Sequence, residues 1–175
     1  MIGDQLGGAA AATMHDTLRQ FRLFADVLSP EQLHQLGQQC RPCLFRAGSL
    51  LMTQGDFGNS MFAIVAGTVS VTFVDPTEHP NEVAILSAGD VVGEMALLTG
   101  DRRTATATAV TNVDAVEISK PALERMFASA PYLVEGFAAT LTLRKAILDQ
   151  IAAEHRDTLR HHIVRQIRKV FAGFV

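Results

Sequence analysis

The chain has 175 residues and a formal net charge of −3, from 15 Lys and Arg against 18 Asp and Glu. With 48 % hydrophobic residues it can bury the core of one compact domain plus an appendage. No apolar run reaches the length of a membrane span, about 18 residues. The two cysteines, Cys40 and Cys43, exclude a disulfide framework and suit a reducing compartment. We therefore expect a soluble domain of the cytoplasmic type.

The sequence begins with a stretch of small residues, 1–13, that has no basic region before it. We interpret this stretch as a flexible leader and not as a secretory signal. Residues 14–40 are predicted to form the N-terminal helices. Their apolar residues recur at helical spacing up to Val27. Ser29 followed by Pro30 then predicts the N-cap and first position of a second, short helix.

The pattern becomes β-rich across residues 41–119. Gly, Pro and Asp turn signals recur about every ten residues, which favours an antiparallel sandwich or barrel. Apolar and polar residues alternate most clearly in Val69–Phe73 and in Thr104–Ala109. The strand candidates are Cys43–Arg46, Leu50–Thr53, Met61–Val65, Thr68–Val74, Glu82–Leu86, Thr104–Ala109 and Ala115–Ile118. We predict a β-roll of about eight strands.

Helical sequence follows the β-rich region. Pro121 and Pro131 each open a helix within residues 120–155, which we interpret as hinge and lid helices. Residues 156–175 are predicted to form a basic amphipathic tail. The predicted fold is therefore mainly β with flanking helices: an eight-stranded, antiparallel, jelly-roll-like β-roll bracketed by N-terminal and C-terminal helices.

The segment from Gly89 to Ala105 carries the chemistry of the predicted site. Gly93 precedes Glu94–Leu98, a helix-forming stretch of about one and a half turns whose first amides suit an anion. Arg103 offers a planar fork of donors to a phosphate, and Glu94 offers acceptors to ribose hydroxyls. This pairing fits a sugar phosphate better than inorganic phosphate. The alternative is a glycine-bounded turn with a surface Glu–Arg ion pair.

The segment resembles the phosphate-binding cassette of cyclic nucleotide-binding domains over the run Gly-Glu-Met-Ala-Leu-Leu-Thr-Gly-Asp-Arg-Arg-Thr-Ala-Thr-Ala-Thr-Ala, which starts at Gly93. Upstream, Gly55–Val71 resembles paired strands of the same family, which includes the catabolite activator protein, regulatory subunits of cAMP-dependent protein kinase and cyclic nucleotide-gated channels. The resemblance covers roughly Leu18 to Leu148, with both motifs in the family's order. It departs from the family at Val91–Val92, where bulkier aromatic residues are usual.

This resemblance implies a cage in which Arg103 binds the cyclic phosphate and Glu94 binds the ribose 2′-hydroxyl. Backbone amides would complete the cage, and they belong to Gly93, Met95, Ala96 and Ala105. The hydroxyl of Thr104 would contact the phosphate or the 2-amino group of a guanine. The ligand is therefore cAMP or cGMP, with a slight preference for cAMP.

A purine base also needs an apolar wall and a cover. Val71, Val83 and Ile85 are the candidate wall residues from the strands. Arg144 interrupts an apolar stripe of the lid helix, so its guanidinium can stack on the purine. The resemblance to bacterial channels implies a capping arginine at about this distance beyond the proline. The alternative is that Arg144 extends to solvent from the edge of the stripe.

These observations predict a cyclic nucleotide sensor that is not an enzyme and that couples binding to movement of its C-terminal helix. The predicted effector is attached or associated, such as a bacterial ion channel, which would make the chain the cytosolic part of a membrane protein. Two alternatives stay open: a protein-interaction module with a vestigial nucleotide site, and a β-roll enzyme. The enzyme is disfavoured because the sequence has no His/Glu cluster on its strands and no nucleophile–base motif.

We predict no cofactor and no metal besides the nucleotide ligand. Cys40 and Cys43 have CxxC spacing, but zinc needs two more suitably spaced ligands. The sequence after the lid helix is too short for the winged helix-turn-helix of DNA-binding relatives, so we expect no direct DNA binding. The basic tail packs either on its own domain or on a second copy in a homo-oligomer, or it contacts a membrane or partner.

Overall fold

The computed structural model describes residues 14–74, 80–139 and Thr142. The chain divides into two units, one up to Leu133 and one from Val134. The helices are α1 (14–18), α2 (Arg22–Ala25), α3 (Pro30–Gly37), α4 (Glu94–Thr99) and α5 (Lys120–Ser129), and residues 133–139 are also helical. The strands are β1 (Arg41–Phe45), β2 (Leu50–Met52), β3 (Ser60–Ala66), β4 (Val69–Val74), β5 (Pro80–Leu86), β6 (Val91–Val92), β7 (Thr106–Ala109) and β8 (Val113–Ser119). The predicted leader, the tail and much of the lid lie outside the described residues.

The eight strands pair antiparallel in two four-stranded sheets, ordered β1-β8-β3-β6 and β2-β7-β4-β5. This arrangement, with helices before and after it, confirms the predicted mainly-β fold. The sequence does not predict β6, which pairs with β3 through Val91 and Val92. A strand of two residues has too short a pattern of its own, so its partner defines it.

The core of the β-roll lies between the two sheets and draws on both of them. Its buried members are Leu51, Phe62, Ile64, Val69, Val71, Val92, Ala105, Ala107, Ala109, Val113 and Ala115. The alternation predicted from Thr104 to Ala109 is confirmed, because the alanines are buried and the threonines between them are only partly buried. Because these alanine side chains are small, the two sheets can lie closer together at β7 than leucines would allow. Strand β7 directly follows the segment that carries the candidate site.

The N-terminal region does not form one continuous helix up to Val27, as the helical spacing of its apolar residues would suggest. Helix α1 ends at Leu18, and Phe21 has an extended backbone, φ −97° and ψ 119°, before α2 begins. Hydrogen bonds of the i to i+3 type tighten the chain between them, from the amides of Gln20 and Phe21 to the carbonyls of Thr17 and Leu18. This bend lets Leu18, Phe21 and Phe24 all be buried at 1 % exposure or less.

Helix α3 begins as predicted, with Ser29 at the N-cap and Pro30 at the first position. The Gln32 amide donates to the Ser29 hydroxyl at 3.3 Å, and the Ser29 amide donates to the Gln32 side chain at 2.9 Å. This capping box satisfies two backbone donors at the helix start. The Gln32 side-chain nitrogen also donates to the Tyr132 hydroxyl at 2.9 Å, which joins α3 to the end of the same unit.

The capping box generates a test of local stability. We expect Ser29→Ala to lower the free energy of unfolding by about 1 kcal/mol, because the amide of Gln32 loses its acceptor. Ser29→Asp is the matched control, since a carboxylate at the N-cap accepts the same hydrogen bond and should retain the stability. Urea unfolding of the three proteins measures both effects. Equal losses in the two variants would contradict the capping role.

Candidate functional site

Arg103 lies between α4 and β7 and is the only charged side chain that is buried among the described residues, at 5 % exposure. Its Nη1 donates to the Gly93 carbonyl at 2.7 Å, and its Nη2 donates to the Ser60 carbonyl. Burial lowers the pKa of the guanidinium, while the carboxylates of Glu94 and Asp56 raise it. An arginine stays charged in proteins. The structure therefore holds a cation inside the roll, between the start of α4 and the start of β3.

The backbone of Arg103 is fixed by the turn that follows β2. The Arg103 amide donates to the Asp56 carbonyl at 2.8 Å, and the Gly55 amide donates to the Arg103 carbonyl at 2.8 Å. Gly58 in the same turn lies against α4, where a Cβ atom would come within 2.5 Å of the Ala96 Cβ. The turn of residues 55–60 thus contacts both α4 and the arginine.

Gly93 is the N-cap of α4 and has φ +87°, in the left-handed region. A Cβ at this position would overlap the Arg103 Nη1 and would lie 3.2 Å from its Cζ and 3.3 Å from the Met52 Sδ. Glycine is required here both for the dihedral angle and for the close approach of the guanidinium. At the other end of α4, Gly100 has φ +78° with open space around it.

Of the predicted cage residues, Arg103 is hydrogen-bonded to Gly93, and Glu94 directly follows Gly93 in the chain. Glu94 lies in the first turn of α4, half-buried, and close enough to raise the pKa of Arg103. Ala96 and Ala105 are buried, whereas Met95 is 41 % exposed and Thr104 is exposed. The alternative of a surface ion pair does not fit, because Arg103 is buried and bonded to two backbone carbonyls.

The three predicted wall residues of the base pocket do not share one environment. Val71 on β4 is buried in the core, at 8 % exposure, whereas Val83 and Ile85 on β5 are 42 % and 53 % exposed. The pairing register between β4 and β5 shifts at this point. Val71 pairs with Ala84, and the next residue of β4 pairs with Glu82, so Val83 has no partner in the register. Arg144 lies outside the described residues. The base contacts stay a prediction.

Three comparisons with known proteins bear on this arrangement. The family model for the cyclic nucleotide-binding domain matches residues 42–130, just over half of the 175 residues. The chain belongs to this family. The matched range contains β1 from Pro42 onward, strands β2 to β8, α4 and α5, together with the turn, Glu94 and Arg103.

Relatives of this cyclic nucleotide-binding domain include both channels and transcriptional regulators. A cyclic nucleotide-gated potassium channel from Rhizobium etli is 34 % identical over 140 residues, which are 77 % of this chain and 36 % of the channel. A CRP-like cAMP-activated global transcriptional regulator from Mycobacterium tuberculosis is 28 % identical over 75 % of this chain and 58 % of the regulator. The chain therefore spans only about a third to three fifths of these relatives.

Among solved structures, a cyclic nucleotide-binding domain from Methylobacillus flagellatus superposes with a TM-score of 0.68 and 26 % identity, covering 85 % of each chain. This likeness agrees with the two-sheet roll described above. None of the helices in the described part of the chain combines the length and the hydropathy that a membrane span requires.

Sequence reasoning about this cyclic nucleotide-binding domain missed the carbonyl of Ser60 and the sulfur of Met52. Neither has a sequence signal, because a carbonyl belongs to every residue and the Met52 contact depends on the fold. The two cysteines, Cys40 and Cys43, are free thiols. The Cys40 thiol donates to the Leu36 carbonyl at 3.2 Å, and burial raises its pKa to about 12.

Within residues 14–74 and 80–139, no group of three or more His, Cys, Asp or Glu could hold a metal.

The two glycines of α4 form a matched pair for testing the close approach of Arg103. Gly100→Ala should cost about 1–2 kcal/mol of unfolding free energy, because alanine is strained in the left-handed region. Gly93→Ala should cost more, about 2–5 kcal/mol, because its Cβ also displaces the guanidinium. Urea unfolding measures both losses. Equal losses would show that Arg103 does not need the space above Gly93.

Proposed function

We propose that the chain is a cyclic nucleotide sensor in which Arg103 binds the cyclic phosphate. The observation that carries this proposal is the burial of the Arg103 guanidinium beside Gly93 and the first turn of α4. A buried cation is costly unless it is hydrogen-bonded and faces a negative charge. A cyclic phosphate supplies one formal negative charge and oxygens that accept from a guanidinium. The position of Glu94 in the same turn supports a ribose next to that phosphate.

The different roles of Glu94 and Arg103 favour a nucleotide over a simple anion as the ligand. A carboxylate beside the anion site repels phosphate, so Glu94 is useful only if it accepts hydrogen bonds from ribose hydroxyls. Amides of Gly93, Met95, Ala96 and Ala105 would donate to the phosphate oxygens, with the Thr104 hydroxyl as a further contact. We assign cAMP as the favoured ligand, in line with the cAMP-activated relative, and cGMP as the alternative that Thr104 permits.

The site binds its ligand by charge and hydrogen bonding, so we propose that it releases the ligand unchanged. We further propose a position on the cytoplasmic side, as the regulatory part of a larger assembly such as a bacterial ion channel, in line with the relative from Rhizobium etli. In this proposal, movement of the C-terminal helix transmits binding, Arg144 covers the base and no DNA is bound directly.

The phosphate contact is tested by calorimetric titration with cAMP. Loss of a charged hydrogen-bonding partner costs about 1.5–3 kcal/mol, so Arg103→Ala should weaken cAMP binding about 10- to 150-fold. Arg46→Ala is the matched control, because it removes an exposed arginine and should leave the affinity unchanged. Circular dichroism confirms that each variant is folded. Unchanged affinity in Arg103→Ala would contradict the role of Arg103 in binding the phosphate, whereas no binding by the wild type would favour a vestigial site.

The ribose contact is tested by comparing cAMP with 2′-deoxy-cAMP. The wild type should prefer cAMP by about 10-fold or more, because the 2′-hydroxyl donates to a carboxylate. In Glu94→Gln most of that preference should disappear, since a neutral amide accepts a weaker hydrogen bond. The ratio of the two affinities in each protein is the measured quantity, and it cancels any general loss of stability. The same preference in both proteins would contradict the role of Glu94.

A further inference from the structure

Arg102, the residue next to Arg103, points the other way and stacks on an exposed phenylalanine. Its Cζ lies 4.2 Å from the centre of the Phe57 ring, and Phe57 is 66 % exposed. Its Nη1 donates to the Gly55 carbonyl at 2.8 Å. Neither Phe57 nor Arg102 belongs to the predicted cage. Their contact joins the turn after β2 to the segment that leads into β7.

The backbones of these two segments pair as a short antiparallel ladder. Phe57 and Arg102 form an isolated antiparallel bridge, and the amide of Arg103 donates to the Asp56 carbonyl at 2.8 Å. Successive side chains alternate in such a ladder. Arg103 therefore faces inward at 5 % exposure, while Arg102 faces outward over Phe57.

Gly55 is bonded to both arginines at once. Its carbonyl accepts from the Arg102 side chain at 2.8 Å, and its amide donates to the Arg103 carbonyl at 2.8 Å. Arg102 therefore restrains Gly55, and Gly55 in turn holds the backbone of Arg103. A cation over an aromatic ring is attracted by the charge distribution of the ring, so the stack resists separation of the two segments.

We propose that Phe57 and Arg102 are positioning residues that fix the backbone of Arg103 from outside the roll. The consequence for ligand affinity rests on the proposed function, whereas the consequence for the ladder does not. When the stack is removed, the ladder opens more often and the guanidinium of Arg103 spends less time in the geometry that binds a phosphate. Affinity then falls although neither residue touches the ligand.

Amide hydrogen exchange tests the ladder without any ligand. An exposed cation–π contact corresponds to about a two- to fivefold change in an equilibrium. Exchange of the Arg103 and Gly55 amides should therefore accelerate about two- to fivefold in Phe57→Leu and in Arg102→Gln. Leu44→Ala is the matched control, because Leu44 is 68 % exposed on β1 and its truncation should change neither rate. Unchanged rates in Phe57→Leu would overturn the proposal.

Titration with cAMP then tests the effect on the site. Phe57→Leu and Arg102→Gln should each weaken binding about two- to fivefold. The double variant should be no weaker than Arg102→Gln alone, since that variant already removes both the stack and the hydrogen bond to the Gly55 carbonyl. Phe57→Trp keeps an aromatic ring under the Arg102 guanidinium and should retain the wild-type affinity. If Arg102 acted only as a charge near the phosphate, Phe57→Leu would bind normally, and this result would overturn the proposal.

The two assays separate the two hypotheses. A wild type that does not bind cAMP contradicts the proposed function, and the exchange rates still decide whether the stack holds the ladder. A wild type that binds cAMP through Arg103, with Phe57→Leu unchanged in both assays, contradicts the positioning role alone.

Discussion

A positive charge buried inside a β-roll is the constraint on which the site depends. Two backbone carbonyls hold the Arg103 guanidinium, one at the start of β3 and one at the N-cap of α4. That position requires a glycine at residue 93, because any Cβ there would overlap the guanidinium. It also requires the turn of residues 55–60, which bonds the arginine backbone and packs against α4. The surrounding fold thus fixes the cation before a ligand arrives, which lowers the ordering cost of binding.

How much could be predicted from the sequence depends on how local each signal is. The N-cap at Ser29 and the alternation along β7 are decided by residues within a few positions, and both are as predicted. The sequence also predicts that Glu94 and Arg103 act at one site next to Gly93, because all three residues belong to one continuous segment. By contrast, β6 depends on its pairing with β3, a partner distant in sequence. The Ser60 carbonyl has no side-chain signature at all.

The candidate site lies within residues 42–130, which the family model matches, whereas the relatives differ in function. A potassium channel and a transcriptional regulator both match this chain, and it spans only 36 % and 58 % of them. Every contact of Arg103 described here comes from residues 55–94, inside the range matched by the family model. We infer that ligand recognition is a property of this domain and that the output is a property of what is attached to it.

The central claim is that Arg103 presents its charge to a cyclic phosphate. The most direct measurement follows the NMR resonances of the Arg103 guanidinium during a titration with cAMP, with those of Arg46 as an internal reference. If Arg103 binds the phosphate, its resonances should shift with the same saturation curve as binding measured by calorimetry, while those of Arg46 stay in place. Saturable binding with unmoved Arg103 resonances would contradict a direct contact between Arg103 and the phosphate.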